Sequence, residues 1–305
     1  MPFYKGYWMV TNRCNLDCSY CVLEDSPEQL RRELPIAEKF ALLDHMYLRL
    51  GFRRLTLSGG EISLIGRNPP TDFIALLNHA RRYRMPGLEG HLEIEIYTNG
   101  AFIDERCADA MAGVVDQVAI TFDGNDPQFL HEIGRSRGRF KNYYESAMKA
   151  GALLAQRGIE LKIHSVVSRR NLAFLARQLP DIRHDLTAHG IRPVKWKFYQ
   201  YMSYDDTLRD LAHAITESEF AEFVKQATAA LGDRGIDLHF KDNREMHESL
   251  FNILSYGNAQ YMSDGDSWET SRRTQDLRSY PDMLTLLSQN GIRADLFAKY
   301  HTLRS

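Results

Sequence analysis

The stretch Thr11-Asn12-Arg13-Cys14-Asn15-Leu16-Asp17-Cys18-Ser19-Tyr20-Cys21 contains three of the four cysteines of the chain. Thiolates spaced this closely are typical ligands of a soft metal ion or an iron–sulfur cluster. A structural zinc ion would need a fourth Cys or His close by, and the nearest histidine along the chain is His45. A disulfide framework would need cysteines in pairs. The spacing therefore predicts an iron–sulfur cubane held by Cys14, Cys18 and Cys21, with one iron left open to an outside ligand.

The composition is that of a soluble globular chain. Its 305 residues are 44% hydrophobic and 26% charged, with a formal net charge of −2. So weak an overall charge argues against nonspecific nucleic-acid binding. No apolar run approaches the ~20 residues that span a bilayer, and residues 1–6 lack a signal-peptide pattern. Together with the unpaired cysteines, these features predict a cytoplasmic protein without membrane or nucleic-acid partners.

Strand-like and helix-like segments alternate along the first 235 residues. Repeated β-α alternation implies a parallel sheet covered by helices, and right-handed crossovers would wind that sheet into a barrel. We therefore predict an α/β protein, with a partial (β/α)6 barrel over residues 1–235. Six strands are predicted at residues 7–10, 55–57, 92–97, 118–122, 161–167 and 194–201, and six helices at residues 35–50, 71–82, 104–111, 143–155, 172–189 and 218–231.

Residues 236–305 are predicted to form a C-terminal extension whose strands and helix pack on the barrel. Strand-like patterns occur at residues 236–240, 250–254 and 259–261, and a helical pattern at residues 280–288. Residues 263–275 are polar and are predicted to be a surface loop. Within the barrel, Pro180 is expected to kink or split the helix at residues 172–189.

Polar residues and glycines follow the predicted strands at their carboxyl ends. The second strand runs directly into Ser58-Gly59-Gly60-Glu61, and a Gly-Gly pair lets a backbone approach a ligand closely. The carboxyl ends of the parallel strands of a barrel meet at one face, where active sites are built. We therefore expect one site at that face, formed by the cysteine stretch, the Gly-Gly-Glu segment and the later strand ends at Asn99, Asp123, Ser165, Arg169 and Gln200.

The combination of C-x3-C-x2-C with a Gly-Gly-Glu segment one β-α unit later resembles the radical S-adenosylmethionine (SAM) superfamily. The resemblance implies that Cys14, Cys18 and Cys21 ligate one [4Fe-4S] cluster and that SAM chelates the open iron. It implies that Gly59, Gly60 and Glu61 bind the methionine amino group, and that Tyr20 packs near the adenine. Further cofactor-binding positions implied in the same way are Asn99, Ser165, Arg169 and Gln200. An electron donor such as flavodoxin or ferredoxin is implied as a partner.

The activity implied by the resemblance is reductive cleavage of SAM to a 5′-deoxyadenosyl radical, which removes a hydrogen atom from the substrate. The cofactor supplies the difficult chemistry, and the protein orients it. The catalytic residues themselves are unknown. Candidates for a later proton transfer or radical quenching are Tyr199 and Tyr201, with Tyr204 beside them. Cys107 lies within a predicted helix, and we expect it to be structural.

The favoured substrate is a ribosomally made peptide, modified after translation. No cysteine follows Cys107, so the chain is expected to lack the auxiliary clusters of many peptide-modifying relatives. Asp123-Gly124, His131 and residues 135–140 resemble the fourth unit of ribosomal-peptide maturases. The lack of auxiliary clusters fits those maturases that excise tyramine from a peptide backbone, called spliceases. A separate leader-binding partner protein would then be expected.

Two other enzymatic readings stay open, a nucleotide dehydratase and an enzyme of another small metabolite. Ile133-Gly134-Arg135, the segment at residues 193–200 and Asn243-x-x-Met246-x-Glu248-Ser249 resemble viperin-type nucleotide dehydratases. Against this reading, the cysteine loop continues with Glu24, Asp25 and Glu28, where a triphosphate would need cations. Lys195 and Lys197 alternate with Trp196, so only one parity can face the barrel interior. An iron–sulfur protein for electron transfer or redox sensing is the non-enzymatic alternative, which the Gly-Gly-Glu segment disfavours.

Overall fold

The computed structural model describes residues 2–21, 32–84, 90–136, 141–203, 208–232, 235–262 and 270–303. The strands are β1 (Tyr4–Thr11), β2 (Phe52–Gly59), β3 (Glu93–Thr98), β4 (Gln117–Thr121), β5 (Glu160–Val167), β6 (Lys195–Gln200), β7 (Asp237–Lys241), β8 (Phe251–Ile253), β9 (Asn258–Tyr261) and β10 (Arg272–Asp276). The helices are α1 (Ile36–Leu48), α2 (Thr71–Ala80), α3 (Glu105–Met111), α4 (Pro127–Glu132), α5 (Tyr143–Gln156), α6 (Leu175–Ala188), α7 (Leu208–His213), α8 (Glu217–Leu231), α9 (Asn243–Glu248), α10 (Met283–Gln289) and α11 (Ala294–His301). No helix in these ranges is both long and apolar enough to cross a membrane.

All ten strands belong to one sheet, in the order β10-β9-β8-β1-β2-β3-β4-β5-β6-β7. Every pairing from β8 through β1 to β7 is parallel, whereas β9 pairs antiparallel with β8 and β10 pairs antiparallel with β9. The predicted α/β class and the partial barrel are confirmed, and all six predicted barrel strands are present. Within the described residues the ladder does not continue from β7 to β8, so the barrel stays open there.

Alternation along each strand separates the barrel interior from the helix layer. Trp8 on β1 and Trp196 on β6 are fully buried on the helix side of the sheet. Glu95 and Tyr97 on β3 instead line the interior, and Ile94 and Ile96 between them are buried in the core. Because neighbouring side chains on a strand point to opposite faces, each strand supplies apolar residues to the core and polar residues to the interior.

Strands after position 235 join the barrel sheet. β7 is the next parallel strand after β6, and β8 pairs in parallel with β1 at Tyr7↔Asn252 and Trp8↔Ile253. These strands extend the barrel sheet itself. The described chain also ends beside the start of β1, where the Leu303 amide donates to the Phe3 carbonyl at 2.8 Å.

Two local predictions were wrong. Arg272–Asp276, placed in a loop by its polarity, forms the edge strand β10, and only Thr274 of it is buried. Pro180 lies inside α6 without splitting it. An interior proline costs ~3 kcal/mol, whereas each buried side chain such as Leu179, Ile182 and Leu186 contributes ~1.5–3 kcal/mol. The packing of the apolar face of α6 therefore outweighs the proline.

Candidate active site

The loop at residues 12–21 contains the three cysteines and is called the cysteine loop. Hydrogen bonds connect it to the residues that follow α4. The Asp17 amide donates to the Gly134 carbonyl at 3.2 Å, and the Ser19 amide donates to the Ile133 carbonyl at 2.9 Å. Gly134 has a φ of +83°, and a Cβ at this position would lie 1.6 Å from the Asp17 carbonyl oxygen. Only glycine fits this contact, so the conformation of the cysteine loop depends on a residue more than a hundred positions away.

Of the three cysteines, Cys14 is exposed at the surface, and Cys18 and Cys21 are partly buried. Desolvation raises the pKa of Cys14 to about 11 and that of Cys18 to about 12. Thiolates are the form that binds metal, so bound iron would have to supply the positive charge that stabilises them. Among the described residues, no three His, Cys, Asp or Glu side chains converge on a single metal ion. Three soft donors from one short loop are the donor set of an iron–sulfur cluster.

The Gly-Gly-Glu segment packs directly against the backbone of the cysteine loop. The Gly60 amide donates to the Thr11 carbonyl at 2.9 Å, and the Glu61 amide donates to the Arg13 carbonyl at 2.7 Å. A Cβ on Gly60 would lie 2.2 Å from the Arg13 carbonyl oxygen. A Cβ on Gly59, whose φ is +150°, would lie 2.1 Å from the Thr11 carbonyl oxygen. The two glycines are therefore required for the approach of the two loops.

The Glu61 carboxylate is fully buried and is occupied by protein donors. It accepts hydrogen bonds from the Ser63 amide and hydroxyl, from the Thr98 hydroxyl and from the Asn99 amide, at 2.8 to 3.2 Å. Burial raises the pKa of Glu61, and these hydrogen bonds act in the opposite direction. Glu61 therefore connects the end of β2 to the end of β3. Because its carboxylate is occupied, the glycine backbone is the part of the segment that can face a cofactor.

Asn99 extends from the end of β3 to the cysteine loop. Its side-chain amide donates to Asn15 Oδ1 at 2.9 Å and lies 3.8 Å from Cys14 Sγ. Asn15 Nδ2 is buried, and no described residue accepts its hydrogen bond. A buried donor without an acceptor is costly, so this position suits a ligand with an acceptor oxygen.

Tyr20 belongs to a buried network on the other side of the cysteine loop. Arg135 Nε donates to Asp123 Oδ2 at 2.6 Å, and Tyr20 is hydrogen-bonded to both residues. Arg135 Nη1 also donates to the Tyr143 hydroxyl at 3.0 Å. Breaking a buried ion pair by removing one partner costs ~3–5 kcal/mol. The network therefore anchors the last turn of the cysteine loop to β4 and α5.

A cavity of about 670 Å³ occupies the barrel interior next to these loops. Tyr20, Gly59 and Met202 line it near the carboxyl ends of the strands. At the opposite end, ion pairs join nearby strands: Arg54–Glu93 between β2 and β3, Lys195–Asp237 between β6 and β7, and Lys162–Glu95 between β5 and β3. The cavity thus lies between the predicted cofactor loops and a floor of paired charges.

An aromatic group occupies the middle of the cavity. His164 on β5 packs edge-on against Tyr97, with ring centroids 4.4 Å apart, and against Tyr199, with centroids 5.2 Å apart. Tyr7 packs against Tyr97 at 5.7 Å. Desolvation and the nearby lysines on β5 and β6 lower the pKa of His164 well below its ordinary value, so its imidazole is neutral.

Lysines line the side of the cavity formed by β6 and β7. Desolvation, followed by repulsion from Lys241, lowers the pKa of Lys197 to about 8. The pKa of Lys241 is also lowered by desolvation, and its ammonium donates to Ser249 Oγ at 2.8 Å. Trp196 and Phe198 face the helices, so the interior parity of β6 is Lys195, Lys197 and Tyr199.

Of the predicted site residues, Tyr20, Gly59 and Tyr199 line this cavity, and four others are bound to partners elsewhere. Ser165 is on the opposite face of β5, where it donates to the Phe122 carbonyl and accepts from Trp196 Nε1. Arg169 forms a two-point ion pair with Glu219. Gln200 donates to the Ile215 carbonyl, and the buried Tyr201 donates to Asp210. For Ser165 and Gln200 the reason is the alternation of strand side chains, because both have the parity that faces the helices. Tyr204 and the acidic stretch at residues 24–28 lie outside the described residues.

Several cavity residues were missed at the sequence level, although a signal for them exists. Polar and aromatic residues alternate with apolar ones in Glu95-Ile96-Tyr97, in Lys162-Ile163-His164 and in Lys197-Phe198-Tyr199. In a barrel covered by helices, the apolar parity faces the helices, so the other parity must line the interior. Applying that rule to each strand would have identified Tyr97 and His164.

The sequence profile of the radical SAM superfamily matches residues 8–170. The GTP 3′,8-cyclase of Mesorhizobium japonicum is 27% identical over 182 residues, which are 59% of this chain and 50% of that protein. The S-adenosylmethionine-dependent nucleotide dehydratase of a Thermoplasmatales archaeon is 23% identical over 242 residues, 79% of this chain and 76% of that protein. The match covers 50% of the Mesorhizobium japonicum GTP 3′,8-cyclase and 35% of Molybdenum cofactor biosynthesis protein 1 of Drosophila melanogaster, so the chain spans about half or less of the length of these relatives.

Solved structures share the fold at low sequence identity. The structure of anSMEcpe with bound AdoMet and the Kp18Cys peptide has a TM-score of 0.68 at 15% identity, over 96% of this chain and 83% of that one. Streptococcus suis SuiB bound to its precursor peptide SuiA has a TM-score of 0.66 at 13% identity, over 98% of this chain and 66% of that one. The profile match covers more than half of this chain. The chain therefore belongs to the radical SAM superfamily, whose enzymes bind a [4Fe-4S] cluster and S-adenosylmethionine.

Proposed function

We propose that this radical SAM enzyme acts on an anionic small molecule of the nucleoside-phosphate class, bound in the barrel interior. The observation that carries the proposal is the pair Lys197 and Lys241 on the cavity wall. Each ammonium is desolvated, and Lys241 repels Lys197. Such an arrangement is unfavourable without a ligand, and a phosphate group would relieve both the desolvation and the repulsion.

The other charges of the cavity support the same substrate class. Arg54 is paired with Glu93, Glu95 with Lys162, and Arg135 with Asp123. Beside these pairs, the lining includes Lys197 and Lys241, with Glu245 as the acidic residue near them. Local positive charge inside low-dielectric walls concentrates anionic ligands. The acidic stretch that argued against a nucleotide lies outside the described residues, whereas these lysines lie in the cavity itself.

The names of two kinds of relative agree with a nucleotide substrate. One is called GTP 3′,8-cyclase and the other an S-adenosylmethionine-dependent nucleotide dehydratase. The dehydratase match extends over three quarters of both chains. A dehydratase-like reaction on a nucleotide is therefore the specific form of the proposal.

The residues proposed to hold the cofactors lie at the carboxyl ends of β1 and β2. Cys14, Cys18 and Cys21 would ligate the cluster. The backbone of Gly59 and Gly60 would hold the methionine end of SAM, with the Asn15 amide as a donor to its carboxylate. When bound, the reduced cluster and SAM supply a radical that removes hydrogen from the substrate. The protein's part is to hold that substrate in the cavity below.

The test uses anaerobically reconstituted protein with dithionite and SAM. 5′-Deoxyadenosine is measured with ATP, GTP, CTP or UTP, and with the uncharged nucleosides as matched controls. We expect at least one triphosphate to increase 5′-deoxyadenosine formation well above its nucleoside. Equal yields with all eight compounds would contradict the nucleotide proposal, while leaving the radical SAM assignment intact.

A ribosomal peptide is the second candidate. SuiB and anSMEcpe have been solved with the precursor peptide SuiA and the Kp18Cys peptide, respectively. Under this alternative, a separate leader-binding protein would deliver the peptide, and tyramine excision is the most specific reaction proposed. Under either alternative, a flavodoxin or ferredoxin would supply electrons in the cytoplasm. Stimulation of 5′-deoxyadenosine formation by a genomically adjacent precursor peptide, and not by nucleotides, would favour the peptide.

A further inference from the structure

Three side chains on neighbouring strands form one row across the inner wall of the cavity. His164 on β5 is the register partner of Lys197 on β6, and Lys197 is the register partner of His239 on β7. All three line the cavity. Because neighbouring strands lie about 5 Å apart, the row brings one imidazole to each side of the Lys197 side chain.

Unpartnered ring nitrogens distinguish the two histidines from the other residues that line the cavity. His164 Nε2 and His239 Nδ1 are buried, and neither has a hydrogen-bond partner among the described residues. Within the part of the chain that the structure describes, no other residue of the cavity lining has a buried side-chain nitrogen or oxygen left unpaired. Leaving a buried polar atom unpaired costs free energy. Two such atoms in one row indicate that a ligand completes their hydrogen bonds.

We propose that His164, Lys197 and His239 form a phosphoryl-binding site, in which each histidine donates one N–H to a phosphate oxygen. The inference rests on the proposed function, because it specifies where the phosphate end of the anionic substrate binds. It adds two histidines that the charge argument did not use. It does not require the rest of the substrate to be a nucleoside.

The donors of the row suit a terminal phosphoryl group better than a carboxylate. A terminal phosphoryl group has three acceptor oxygens, so that donors from three strands can each contact one. A carboxylate has two oxygens, and one donor of the row would compete for an oxygen already contacted. Desolvation lowers the pKa of both histidines, so each imidazole is neutral and keeps one N–H to donate.

The Lys197 ammonium supplies positive charge at the centre of the row. Among the described residues it forms no ion pair, and it lies 5.2 Å from the centroid of the Tyr199 ring. Lys241 follows His239 by two positions on β7 and lines the cavity, as does Glu245 of α9. Two ammonium groups beside one carboxylate leave this wall positive, which favours an anionic ligand.

His301 provides a matched control, because it is a histidine of the same cavity whose ring nitrogens are both occupied. Its Nδ1 lies 3.3 Å from the Lys5 carbonyl oxygen, and its Nε2 lies 3.1 Å from the Ser249 carbonyl oxygen. His164→Phe, His239→Phe and His301→Phe each keep an aromatic ring and remove the imidazole nitrogens. Circular dichroism and the melting temperature verify that each variant is folded.

The experiment measures binding of inorganic pyrophosphate to the reconstituted holoenzyme by isothermal titration calorimetry, without SAM, nucleotide or reductant. The visible absorbance of the cluster is recorded to verify that it stays intact. His164→Phe and His239→Phe are each expected to weaken binding ~10-fold, through loss of one hydrogen bond to a charged group. The affinity of His301→Phe is expected to stay close to that of the wild type.

Two further measurements separate hydrogen bonding from packing and from charge alone. His164→Gln and His239→Asn place a side-chain amide near the positions of Nε2 and Nδ1, and we expect them to recover most of the lost affinity. Tricarballylate has three carboxylates and a charge similar to that of pyrophosphate, but no phosphoryl group. We expect it to bind the wild-type protein much more weakly than pyrophosphate does.

An unchanged pyrophosphate affinity in either His164→Phe or His239→Phe would overturn the inference. So would an equal loss in His301→Phe, no recovery in the amide variants, or equal binding of tricarballylate. Pyrophosphate binding that depends on both histidines, with no triphosphate increasing 5′-deoxyadenosine formation, would reject the nucleotide proposal and retain the phosphoryl site. Stimulation by a triphosphate, with pyrophosphate affinity unchanged in both variants, would retain the nucleotide proposal and reject this site.

Discussion

The buried charge of Lys197 is expected to lower the stability of the ligand-free protein and to raise its affinity for an anionic substrate. Replacing it with Met keeps the length of the side chain and removes the desolvated charge. We expect Lys197→Met to raise the melting temperature of the ligand-free protein, because the charged form is disfavoured by burial and by Lys241. We expect the affinity for the active triphosphate to fall ~10–100-fold, the value of one charge-assisted hydrogen bond of ~1.5–3 kcal/mol.

The matched control for this prediction is Lys195→Met. Lys195 has the same parity on β6, but it pairs with Asp237 at 2.9 Å at the opposite end of the barrel, outside the cavity. Nucleotide affinity in Lys195→Met should stay close to that of the wild type. Equal losses of affinity in both variants, measured by equilibrium binding to the holoenzyme, would contradict the role given to Lys197.

The pKa of Lys197 also predicts a pH dependence of binding. The folded-state value of about 8 lies below the ordinary lysine value of 10.5, so the side chain loses its charge as pH rises through 8. Triphosphate affinity should therefore fall between pH 7 and pH 9 in the wild type, and this part of the fall should be absent in Lys197→Met. The ionisable groups facing Lys197 from the neighbouring elements are Glu95, Lys162, His164, His239, Lys241 and Glu245. A pH profile that is the same in both proteins would exclude Lys197 as its origin.

At the scale of single residues, sequence spacing identified the glycines that bring the Gly-Gly-Glu segment against the cysteine loop. It identified few of the residues that line the cavity. The cysteines, Gly59 and Gly60 follow from local patterns, because close backbone approach restricts the residue type. Ser165 and Gln200 were chosen as polar residues near strand ends without testing which face of the strand they occupy. Arg169 found a partner, Glu219, on α8, and no pattern in either segment predicts that long-range pair.

Among the elements, the turn after α4 determines the shape of the cysteine loop without contributing any predicted ligand. Gly134→Ala would place a methyl group 1.6 Å from the Asp17 carbonyl oxygen, and alanine also disfavours a φ of +83°. We expect the cysteine loop to be displaced and the iron bound per chain after reconstitution to fall several-fold. The far-ultraviolet circular dichroism should change little, because the sheet does not depend on this turn.

Gly158→Ala is the control for backbone strain alone. Gly158 has a φ of +71°, and a Cβ there would have no neighbour within 4 Å. This variant should lose ~1 kcal/mol of stability and bind as much iron as the wild type. A Gly134→Ala protein with full iron content would show that the turn after α4 does not determine the conformation of the cysteine loop.

The elements that sequence patterns predicted well are those with a buried face. The central strands and long helices have regular apolar periods because each packs on the core. β10 has no such period, since an edge strand needs little apolar surface, and polar edge strands avoid pairing with other chains. Pro180 was expected to interrupt α6, because proline disfavours a helix interior locally. Here the tertiary packing of the apolar face of α6 outweighs that local preference. Neither error could be removed without knowing which elements lie next to each other.

At the scale of the molecule, the division at residue 235 does not correspond to a break in packing. A single hydrophobic core cluster includes Tyr4, Phe251 and Phe297 together with residues of every barrel strand from β1 to β6. β8 pairs with β1, and α11 packs beneath both. Periodicity along the chain reveals where an element begins, but it does not reveal that the last elements return to the first strand. We therefore expect the first strand and the C-terminal elements to unfold together.

Phe297→Ala tests this expectation. Phe297 is 3% exposed, and its ring lies 5.5 Å from that of Tyr4 and 5.0 Å from that of Phe251. Losing this side chain should cost ~3–5 kcal/mol, while Leu284→Ala, at a position 73% exposed, should cost less than ~0.5 kcal/mol. Hydrogen exchange followed by mass spectrometry should show equal losses of protection in β1, β2 and β8, because one cooperative unit opens. If only peptides after residue 235 lost protection, the C-terminal extension would unfold independently of the barrel, contrary to this expectation.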